Sequence, residues 1–494
     1  MGRTRRSDFA TPLFDRSETS DPKIPNEATA SRPVHDLRAT LKGIHNYIYA
    51  NDKFKRHAKV FEEIMKLLVL KLYDEKSHTG QFSIAPKEVP GLPNGDGHQL
   101  LTRFQHLFAA ATEDPDLAGI FGPADIIDLT PRVLAFAVNQ LHGFNLADTD
   151  AKGAAFQTIL GPQIRGEKGQ FFTPDPVKRL IVGIIDPKPN EIILDPAAGS
   201  AGLLVQAIDH IRRKLPDTDA LPATRTSHRE RQKSALLRTL GQYAADRVFG
   251  VEIDPTLVRV ARLNVALQAD AHGNIFAADA LAPWDQLSPA THGKLTRDSV
   301  DIVITNPPFG TKGKVDDPRV LAGFPNVARD RGKQVPDILF LERIVQLLKP
   351  GGRAGIVLPY GDLANSSLAY VREFLRATCH IFAVVSLPGP TFRPAENSVK
   401  AAVLFIRKWP ASRKPVRYPT FRAISRKIGY DMHERPTYVR DAQGFYLDQQ
   451  LQRLPPAKTK DPQWLAANGL IDEDISHILR EWSGFRSKYG KEYL

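Results

Sequence analysis

The sequence predicts an α/β fold in which an open, mostly parallel β-sheet follows an all-α domain. Apolar runs typical of buried strands alternate with stretches of helical periodicity between residues 191 and 407. A turn of small residues at 195–202 joins the first of these strands to a helix. Upstream, residues 33–165 show helical periodicity alone. Alternating strands and helices are the pattern of a parallel sheet covered by helices on both faces.

The composition indicates a globular protein with a polyanionic partner. Hydrophobic residues make up 42% and charged residues 25% of the chain, as in ordinary globular domains. A net charge of +12 favours nucleic acid as the partner. The single cysteine, Cys379, excludes disulfide frameworks and cysteine-based zinc sites, and we expect no metal centre. The sequence has neither a bilayer-spanning apolar run nor a secretory signal, so we expect a cytoplasmic protein without membrane contact.

The amino-terminal third divides into a tail and a helical domain. Residues 1–32 mix polar residues and proline without periodicity, and this composition predicts a flexible tail. Within 33–165, apolar residues recur at helix spacing, first in 37–48 and again in 61–72. The pattern predicts a helical domain with its own core, for which the residues indicate no chemistry.

The character of the sequence changes at residues 168–174, which read KGQFFTP and lead into a predicted helix at 176–185. The predicted strand 191–194 is then followed by the turn DPAAGSAG, 195–202, and by a helix at 203–213. A strand, a turn of small residues and a helix let a ligand approach backbone N–H groups and the helix amino terminus. The turn is therefore a candidate binding site, of a kind common to many nucleotide-binding folds.

Two acidic residues stand after the next predicted strands. Glu252 follows the strand 248–251, and Asp279 follows the strand 274–277. An acidic residue at the end of the second strand is placed to accept both hydroxyls of a ribose. An acidic residue after the third strand suits the edge of an adenine. The pair therefore favours a bound nucleoside.

The tetrapeptide Asn306-Pro307-Pro308-Phe309 follows an apolar predicted strand, 300–305. Two consecutive prolines end the strand and hold the preceding amide side chain still. A planar, conjugated amino group is a poor nucleophile because its lone pair is delocalised, and it improves when acceptors hold both of its N–H bonds. The side-chain oxygen of Asn306 and the carbonyl of Pro307 are suitable acceptors, and Phe309 can stack on the ring. A simple strand-ending turn is the alternative.

Three more strands complete the predicted sheet. A helix at 337–348 precedes a strand at 353–358, and strands at 381–387 and 401–407 follow. The loop between the last two strands is too short for a crossover helix. These strands should therefore pair antiparallel, which places an antiparallel strand at the edge of the sheet.

Residues 411–494 are predicted to form a carboxyl-terminal extension that contacts another subunit. Its final segment has apolar residues at 471, 475, 479 and 482, which is the pattern of one amphipathic helix. The apolar face of this helix could pack on this chain or on another, and the sequence favours neither.

Five motifs, taken together and in this order, resemble those of S-adenosylmethionine-dependent DNA adenine methyltransferases of the amino (N6) class. They read GQFFTP, DPAAGSAG, GVEIDP, NPPF and KPGG. The chain most resembles the modification subunits of type I restriction–modification systems, over roughly residues 34–430. The resemblance implies a Rossmann-like class I methyltransferase sheet at 166–410. It also implies an adenine-specific, site-specific DNA methyltransferase that uses S-adenosylmethionine.

The resemblance assigns a role to each motif. The residues that would lie against the methionine end of the cofactor are Gln170, Phe171, Phe172 and Thr173. The residues that would form the cofactor turn are Asp195, Ala197, Gly199, Ser200 and Gly202, and Ala201 stands where most relatives have glycine. Glu252 would bind the ribose and Asp279 the adenine. The target base would be held by Asn306, Pro307, Pro308 and Phe309, with Phe392 as a second ring against it.

The implied reaction is direct in-line methyl transfer without a covalent enzyme intermediate. The target adenine has to leave the double-stranded DNA to reach the pocket. About eighty residues follow Arg407, which we expect to be too few to read a DNA sequence alone. The family solution is a separate specificity subunit. A restriction subunit and a second copy of this chain are further partners that the resemblance leaves open.

Three other functions remain open at this point. An Asn-Pro-Pro-aromatic corner also suits methylation of a glutamine amide in a protein, and an RNA base is a further substrate class. The chain could also be a catalytically silent DNA-binding or assembly subunit. Against the silent subunit, every position that the chemistry needs holds a suitable residue type.

Overall fold

The fold is described from a computed structural model, which covers most of the chain. The described residues are 34–54, 56–85, 88, 97–146, 173–214, 238–269, 273–310, 313–328, 331–392, 400–410, 417–431 and 435–493. The predicted tail, 1–32, therefore lies outside them. Within these ranges, no helix combines the length and the apolar character needed to cross a membrane.

The helices fall into three groups along the chain. Those before the sheet are α1 (Val34–Asn51), α2 (His57–Ser77), α3 (Gly97–Glu113) and α4 (Pro131–His142). Those within the sheet region are α5 (Asp175–Ile185), α6 (Gly202–Arg212), α7 (Pro255–Ala269), α8 (Trp284–Ala290), α9 (Pro318–Leu321), α10 (Pro336–Leu347), α11 (Tyr360–Ala364) and α12 (Ala369–Thr378). The last two are α13 (Pro462–Asn468) and α14 (Ile475–Tyr493), and a further helical segment spans 238–247.

Helices α1 to α4 bury the apolar residues that predicted them. Leu41, Ile44 and Ile48 on α1 are at most 1% exposed, as helix spacing requires. The core that they form also contains Val260 and Leu263 of α7, which belongs to the sheet region. This core is distinct from the two cores that cover the sheet, and a helix of the sheet region completes it.

The strands form one eight-stranded sheet in the order β3-β2-β1-β4-β5-β7-β6-β8. Their bounds are β1 Ile193–Asp195, β2 Val248–Glu252, β3 Asn274–Ala277, β4 Val300–Thr305, β5 Leu348–Pro359, β6 Cys379–Ser386, β7 Ala401–Lys408 and β8 Phe421–Ile424. Strands β1 to β5 pair parallel with one another, and β7 is antiparallel to both β5 and β6. The predicted α/β class with a mostly parallel sheet is confirmed.

The position of the antiparallel strand differs from the prediction. β7 lies inside the sheet between β5 and β6, and the edge is formed by β8, which runs parallel to β6. The short loop fixed the antiparallel pairing of β6 and β7 but not which of them neighbours β5. Every residue of β7 from Ala401 to Ile406 is buried, as expected of an interior strand with both faces covered.

The two faces of the sheet bury alternate residues of the same strands. On β4, Ile302 and Ile304 face one core, which also receives α5, α6 and α14. Val303 faces the opposite core, which receives α10 and α12. Because successive side chains point to opposite faces of a strand, this alternation holds β4 in register between two helical layers.

Helix α14 packs on its own chain, which decides between the two alternatives that the sequence left open. Ile475 and Trp482 are buried in the core that includes β6 and β7, and Leu479 is partly buried against it. A Cβ placed on Gly183 of α5 would lie only 2.7 Å from Leu479 Cδ2. The glycine thus allows α14 to approach α5 closely.

The motif KPGG lies at the junction of β4 and β5, and its second glycine, Gly352, leaves no room for a side chain unless the backbone shifts. Within the motif KPGG, Gly351 has a φ of +82°. A Cβ on Gly352 would lie 2.9 Å from the carbonyl oxygen of Lys349 and 3.0 Å from that of Asp301. Both contacts are to backbone atoms, which cannot rotate away as a side chain can.

We expect Gly352→Ala to lower the free energy of unfolding by about 1–3 kcal/mol or more, because the added methyl group forces β4 and β5 apart. Urea denaturation followed by circular dichroism measures this change. Gly361→Ala is the matched control, since a Cβ there meets no described atom within 4 Å. An equal loss of stability in both variants would contradict the steric explanation.

Candidate active site

The strand order brings the predicted site residues to one edge of the sheet. The carboxyl ends of β3, β2, β1 and β4 lie side by side, since these strands are parallel neighbours. They carry, in that order, Asp279, Glu252, Asp195 and Asn306. Adjacent strands lie about 4.8 Å apart, so the four side chains form a row rather than a cluster. A row of this length suits an elongated ligand with different chemistry at each end.

Backbone hydrogen bonds fix the turn that follows β1. The N–H of Ala198 donates to the carbonyl of Val251 on β2 at 2.9 Å, and the N–H of Ala201 donates to the carbonyl of Ala198 at 2.7 Å. Gly199 and Ala201 both have left-handed backbone conformations, with φ of 52° and 61°. Glycine adopts this conformation freely, whereas alanine is strained in it. Ala201 is therefore held in a strained backbone conformation at the start of α6.

Glu252 connects the end of β2 to this turn. Its Oε2 accepts a hydrogen bond from the N–H of Gly199 at 2.9 Å, and its Oε1 accepts one from the N–H of Asp254 at 2.9 Å. Burial raises the pKa of the Glu252 carboxyl. Each carboxylate oxygen has a second lone pair, so Glu252 can still accept a hydrogen bond from a ligand hydroxyl at each oxygen.

Asp195 is the most deeply buried acid of the row, with 2% of its surface exposed. Burial raises the pKa of its carboxyl to about 7. The N–H of Ala197 donates to its Oδ1 at 3.0 Å, which holds the first residues of the turn. Asp195 therefore supports the turn from below.

Asp279, by contrast, is exposed at the end of the row. Its Oδ1 accepts a hydrogen bond from the N–H of Leu281 at 2.9 Å, which orients the carboxylate. The second carboxylate oxygen is available to accept a hydrogen bond from a ligand amino group.

Asn306 presents an acceptor that nothing in the described part of the chain uses. Its Oδ1 is buried and has no hydrogen-bond partner among the described residues. Pro307 behind it is buried, whereas Pro308 is exposed. A buried carbonyl oxygen without a partner costs about 1–3 kcal/mol, and a ligand N–H would relieve this cost.

Two aromatic rings contact each other at the loop that follows Asn306. Phe309 and Phe392 make an edge-to-face contact, with ring centroids 5.8 Å apart and ring planes at 78°. The turn that carries Phe392 is held by the hydroxyl of Tyr430, which donates to the carbonyl of Thr391 at 2.9 Å. Phe392 is only 6% exposed, whereas Phe309 is partly exposed. A planar ligand would therefore meet the ring of Phe309 first.

The structure brings together most of the predicted residues. Ala197, Ser200 and Gly202 lie in the turn at 195–202, and Thr173 lies just before α5. Gln170, Phe171 and Phe172 lie outside the described residues.

Sequence reasoning missed several polar residues that support the site from behind. Asn264 of α7 is 1% exposed, and its Nδ2 donates to the carbonyl of Ser200 at 2.8 Å. It is a polar residue within a run of apolar ones, which was the available signal. Lys178 of α5 is 4% exposed and lies beside Gly202.

Two further acids, Asp337 and Asp362, are buried near the loop that follows β4. Asp337 lies in the first turn of α10 and interacts with the backbone of Gly310, directly after Phe309. Asp362 lies on α11 after β5, and its Oδ2 has no hydrogen-bond partner among the described residues. Burial, with a smaller contribution from the charge of Asp337, raises the pKa of Asp362 to about 7. No pattern in the sequence distinguishes these acids from surface ones.

The strand order and the row of site residues define the fold of class I S-adenosylmethionine-dependent methyltransferases. A solved example from Listeria monocytogenes superposes with a TM-score of 0.50 at 18% identity, covering 79% of this chain and 92% of that one. The type I restriction–modification methyltransferase subunit from Streptococcus thermophilus superposes with a TM-score of 0.55 at 16% identity, covering 92% and 94%.

The chain belongs to the N-6 DNA Methylase family, whose model matches residues 148–421, more than half of the 494 residues. The methylase subunit of the type I restriction enzyme EcoEI from Escherichia coli is 29% identical over 285 residues, which are 56% of this chain and 51% of that subunit. Other curated relatives are also type I methylase subunits, and the chain spans about half to three-fifths of their lengths. The family resemblance predicted from the five motifs is confirmed.

The raised pKa of Asp362 gives a prediction for the dependence of stability on pH. Between pH 4 and pH 7 the carboxyl is ionised in the unfolded chain but mostly protonated in the folded one, so its cost to folding grows as the pH rises. We expect Asp362→Asn to leave the free energy of unfolding unchanged near pH 4. At pH 8 we expect it to raise that free energy by up to about 4 kcal/mol.

Urea denaturation at several pH values measures this difference, and Asp316→Asn, at an exposed position, is the control. A gain that does not depend on pH would show that titration of Asp362 is not its cause.

Proposed function

We propose that this protein transfers a methyl group from S-adenosylmethionine to the N6 amino group of adenine in DNA. We further propose that it is the modification subunit of a type I restriction–modification complex. The observation that carries the proposal is the buried, unpartnered Oδ1 of Asn306 among the described residues, at the end of the row of nucleoside-binding positions. Membership of the N-6 DNA Methylase family supports the same reaction.

The residues present fit the cofactor. A Cβ placed on Gly199 would meet no described atom within 4 Å, so a ligand has room above the turn. The carboxylate of Glu252 would hold the ribose hydroxyls, and Asp279 the adenine amino group. Thr173, with Gln170, Phe171 and Phe172, would lie at the methionine end. When bound, the cofactor supplies an electrophilic methyl group on a sulfonium centre.

The chain's own contribution to the transfer would be to orient the target amino group. Asn306 Oδ1 would accept one N–H of the adenine and the carbonyl of Pro307 the other, which directs the nitrogen lone pair out of conjugation. Phe309 would stack on the base, and Phe392 would support Phe309 edge-on. The proton lost from nitrogen would leave to solvent after the transfer.

The proposed substrate is double-stranded DNA with the target adenine turned out of the helix. An amino group inside a base pair cannot reach a buried acceptor such as Asn306 Oδ1, so the base has to be unstacked. The net charge of +12 supports a DNA partner because phosphate contacts contribute most of the non-specific affinity for DNA. The proposed location is the cytoplasm, where such DNA is present.

The proposed partners are those of the relatives. The curated relatives are named as subunits of type I restriction enzymes, which supports a separate specificity subunit that reads the DNA sequence. A restriction subunit and a second copy of this chain would complete such an assembly. A glutamine side chain or an RNA base is an alternative acceptor for the methyl group, and the following experiment separates the three substrates.

We expect Asn306→Ala to reduce methyl transfer by at least about a hundredfold while cofactor affinity stays unchanged, because Asn306 touches only the target base. The measurement uses labelled S-adenosylmethionine and host DNA, with and without the neighbouring gene product most like a specificity subunit. Labelled N6-methyladenine that appears only with that partner and disappears in the variant is the expected result. Label in RNA or in a protein band, with none in DNA, would contradict the proposal.

We expect Glu252→Gln to weaken S-adenosylmethionine binding by about tenfold or more, because one charged acceptor of the ribose hydroxyls is lost. Isothermal titration calorimetry on the purified chain measures this affinity. Glu481→Gln is the control, since Glu481 is exposed on α14. Unchanged affinity in Glu252→Gln would place the ribose elsewhere.

A further inference from the structure

A buried lysine lies beside the turn that the proposed function assigns to the cofactor. Lys178 is on α5, with only 4% of its surface exposed. A Cβ placed on Gly202 would lie 3.6 Å from Lys178 Nζ and 3.8 Å from Ser200 Oγ. The ammonium group therefore lies next to the first residue of α6, where the turn becomes a helix.

The start of α6 is suited to a negative charge for a separate reason. Its N-cap residue is Ala201, whose side chain has no oxygen to accept from the first N–H groups of the helix. The helix is 11 residues long, so its amino terminus carries a partial positive charge. An ammonium group, a hydroxyl and a helix amino terminus thus meet at one point of the cofactor turn.

The other charged groups along the row are of the opposite sign. Asp195, Glu252 and Asp279 are all acceptors, and they suit hydroxyl and amino groups. The methionine end of S-adenosylmethionine carries a carboxylate, which these acids would repel. Lys178 supplies the positive charge that the rest of the row lacks.

Among the described residues, Asp175 forms an ion pair with Lys178. Its Nζ lies 2.5 Å from Oδ1 of Asp175, one turn earlier on α5. The Asp175 side chain is 74% exposed, so water screens its charge and it competes weakly for the ammonium group. An ammonium group has three donors and can hold Asp175 and a second carboxylate together.

We propose that Lys178 binds the α-carboxylate of the cofactor's methionine and so distinguishes S-adenosylmethionine from analogues that lack this group. The inference rests on the proposed function, because it assumes that the turn at 195–202 holds this cofactor. It adds a residue from α5 that lies outside the five motifs. Lys178 would contact the cofactor and not the target base.

Calorimetric titration with two ligands tests the inference. The ligands are S-adenosylmethionine and decarboxylated S-adenosylmethionine, which share the adenosine, the sulfonium and the amino group and differ in the carboxylate. We expect the unaltered protein to bind S-adenosylmethionine about ten- to a hundredfold more tightly. We expect Lys178→Met to lose this preference by weakening S-adenosylmethionine alone, with the affinity for the decarboxylated ligand changed by less than about threefold.

Asp175→Asn is the matched control, since it removes the ion-pair partner seen among the described residues and keeps the ammonium group. Its preference for S-adenosylmethionine should equal or exceed that of the unaltered protein. Binding of the decarboxylated ligand shows that Lys178→Met still forms the site.

Two results would overturn the inference while leaving the proposed function intact. One is equal affinity of the unaltered protein for both ligands, which needs no variant. The other is an equal loss for both ligands in Lys178→Met. If the unaltered protein binds neither ligand, the proposed function itself fails, because the turn then holds another group.

Discussion

The pairing of β1 with β4 is the constraint on which the site depends. The chain builds β1, β2 and β3 in one direction across the sheet and then returns to place β4 on the other side of β1. The register is Ile193 opposite Ile302 and Leu194 opposite Val303. A parallel sheet opens a crevice beyond the strand ends at the place where its order reverses. A slip of one residue would send Ile302 and Ile304 into the core that now receives Val303, and Val303 into theirs, and it would displace Asn306 from its place beside the end of β1.

Several acids are buried at or near this edge of the sheet, and their burial lowers the stability of the folded protein. Burial raises the pKa of Asp195 and of Asp362 to about 7, and it raises the pKa of Glu252 as well. A carboxylate with a raised pKa destabilises the folded protein at neutral pH. Glu252 offsets part of this cost through the N–H groups of Gly199 and Asp254, whereas Asp362 Oδ2 finds no partner among the described residues. A ligand that donates hydrogen bonds to such acceptors would therefore stabilise the folded protein.

The sequence predicted the strands well where local pattern and buried environment agree. The limits of β3 and β4 match the prediction residue for residue, because each is an apolar run bounded by turn residues. The place of β7 inside the sheet was not predictable in the same way, since the order of strands is set by long-range packing. The edge strand β8 was missed for a similar reason: four residues at 421–424 form a strand only because β6 offers an open edge. The sequence placed motif residues such as Glu252 at the end of a strand in the site, whereas it did not identify Asn264 or Lys178 as part of the site. They act through helices that fold back onto the turn from elsewhere in the chain.

Helix α7 connects the helical domain to the turn at 195–202. One side of α7 supplies Val260 and Leu263 to the core of α1–α4. From the same helix, Asn264 holds the carbonyl of Ser200 in the turn at 2.8 Å. Arg262 adds bonds to the carbonyls of Gly119, in the helical domain, and of Ile275 on β3. A close-packed core transmits displacement instead of absorbing it. Any movement of the helical domain that shifts α7 therefore displaces Ser200. The geometry of the turn thus depends on the helical domain, although no residue of that domain belongs to the turn.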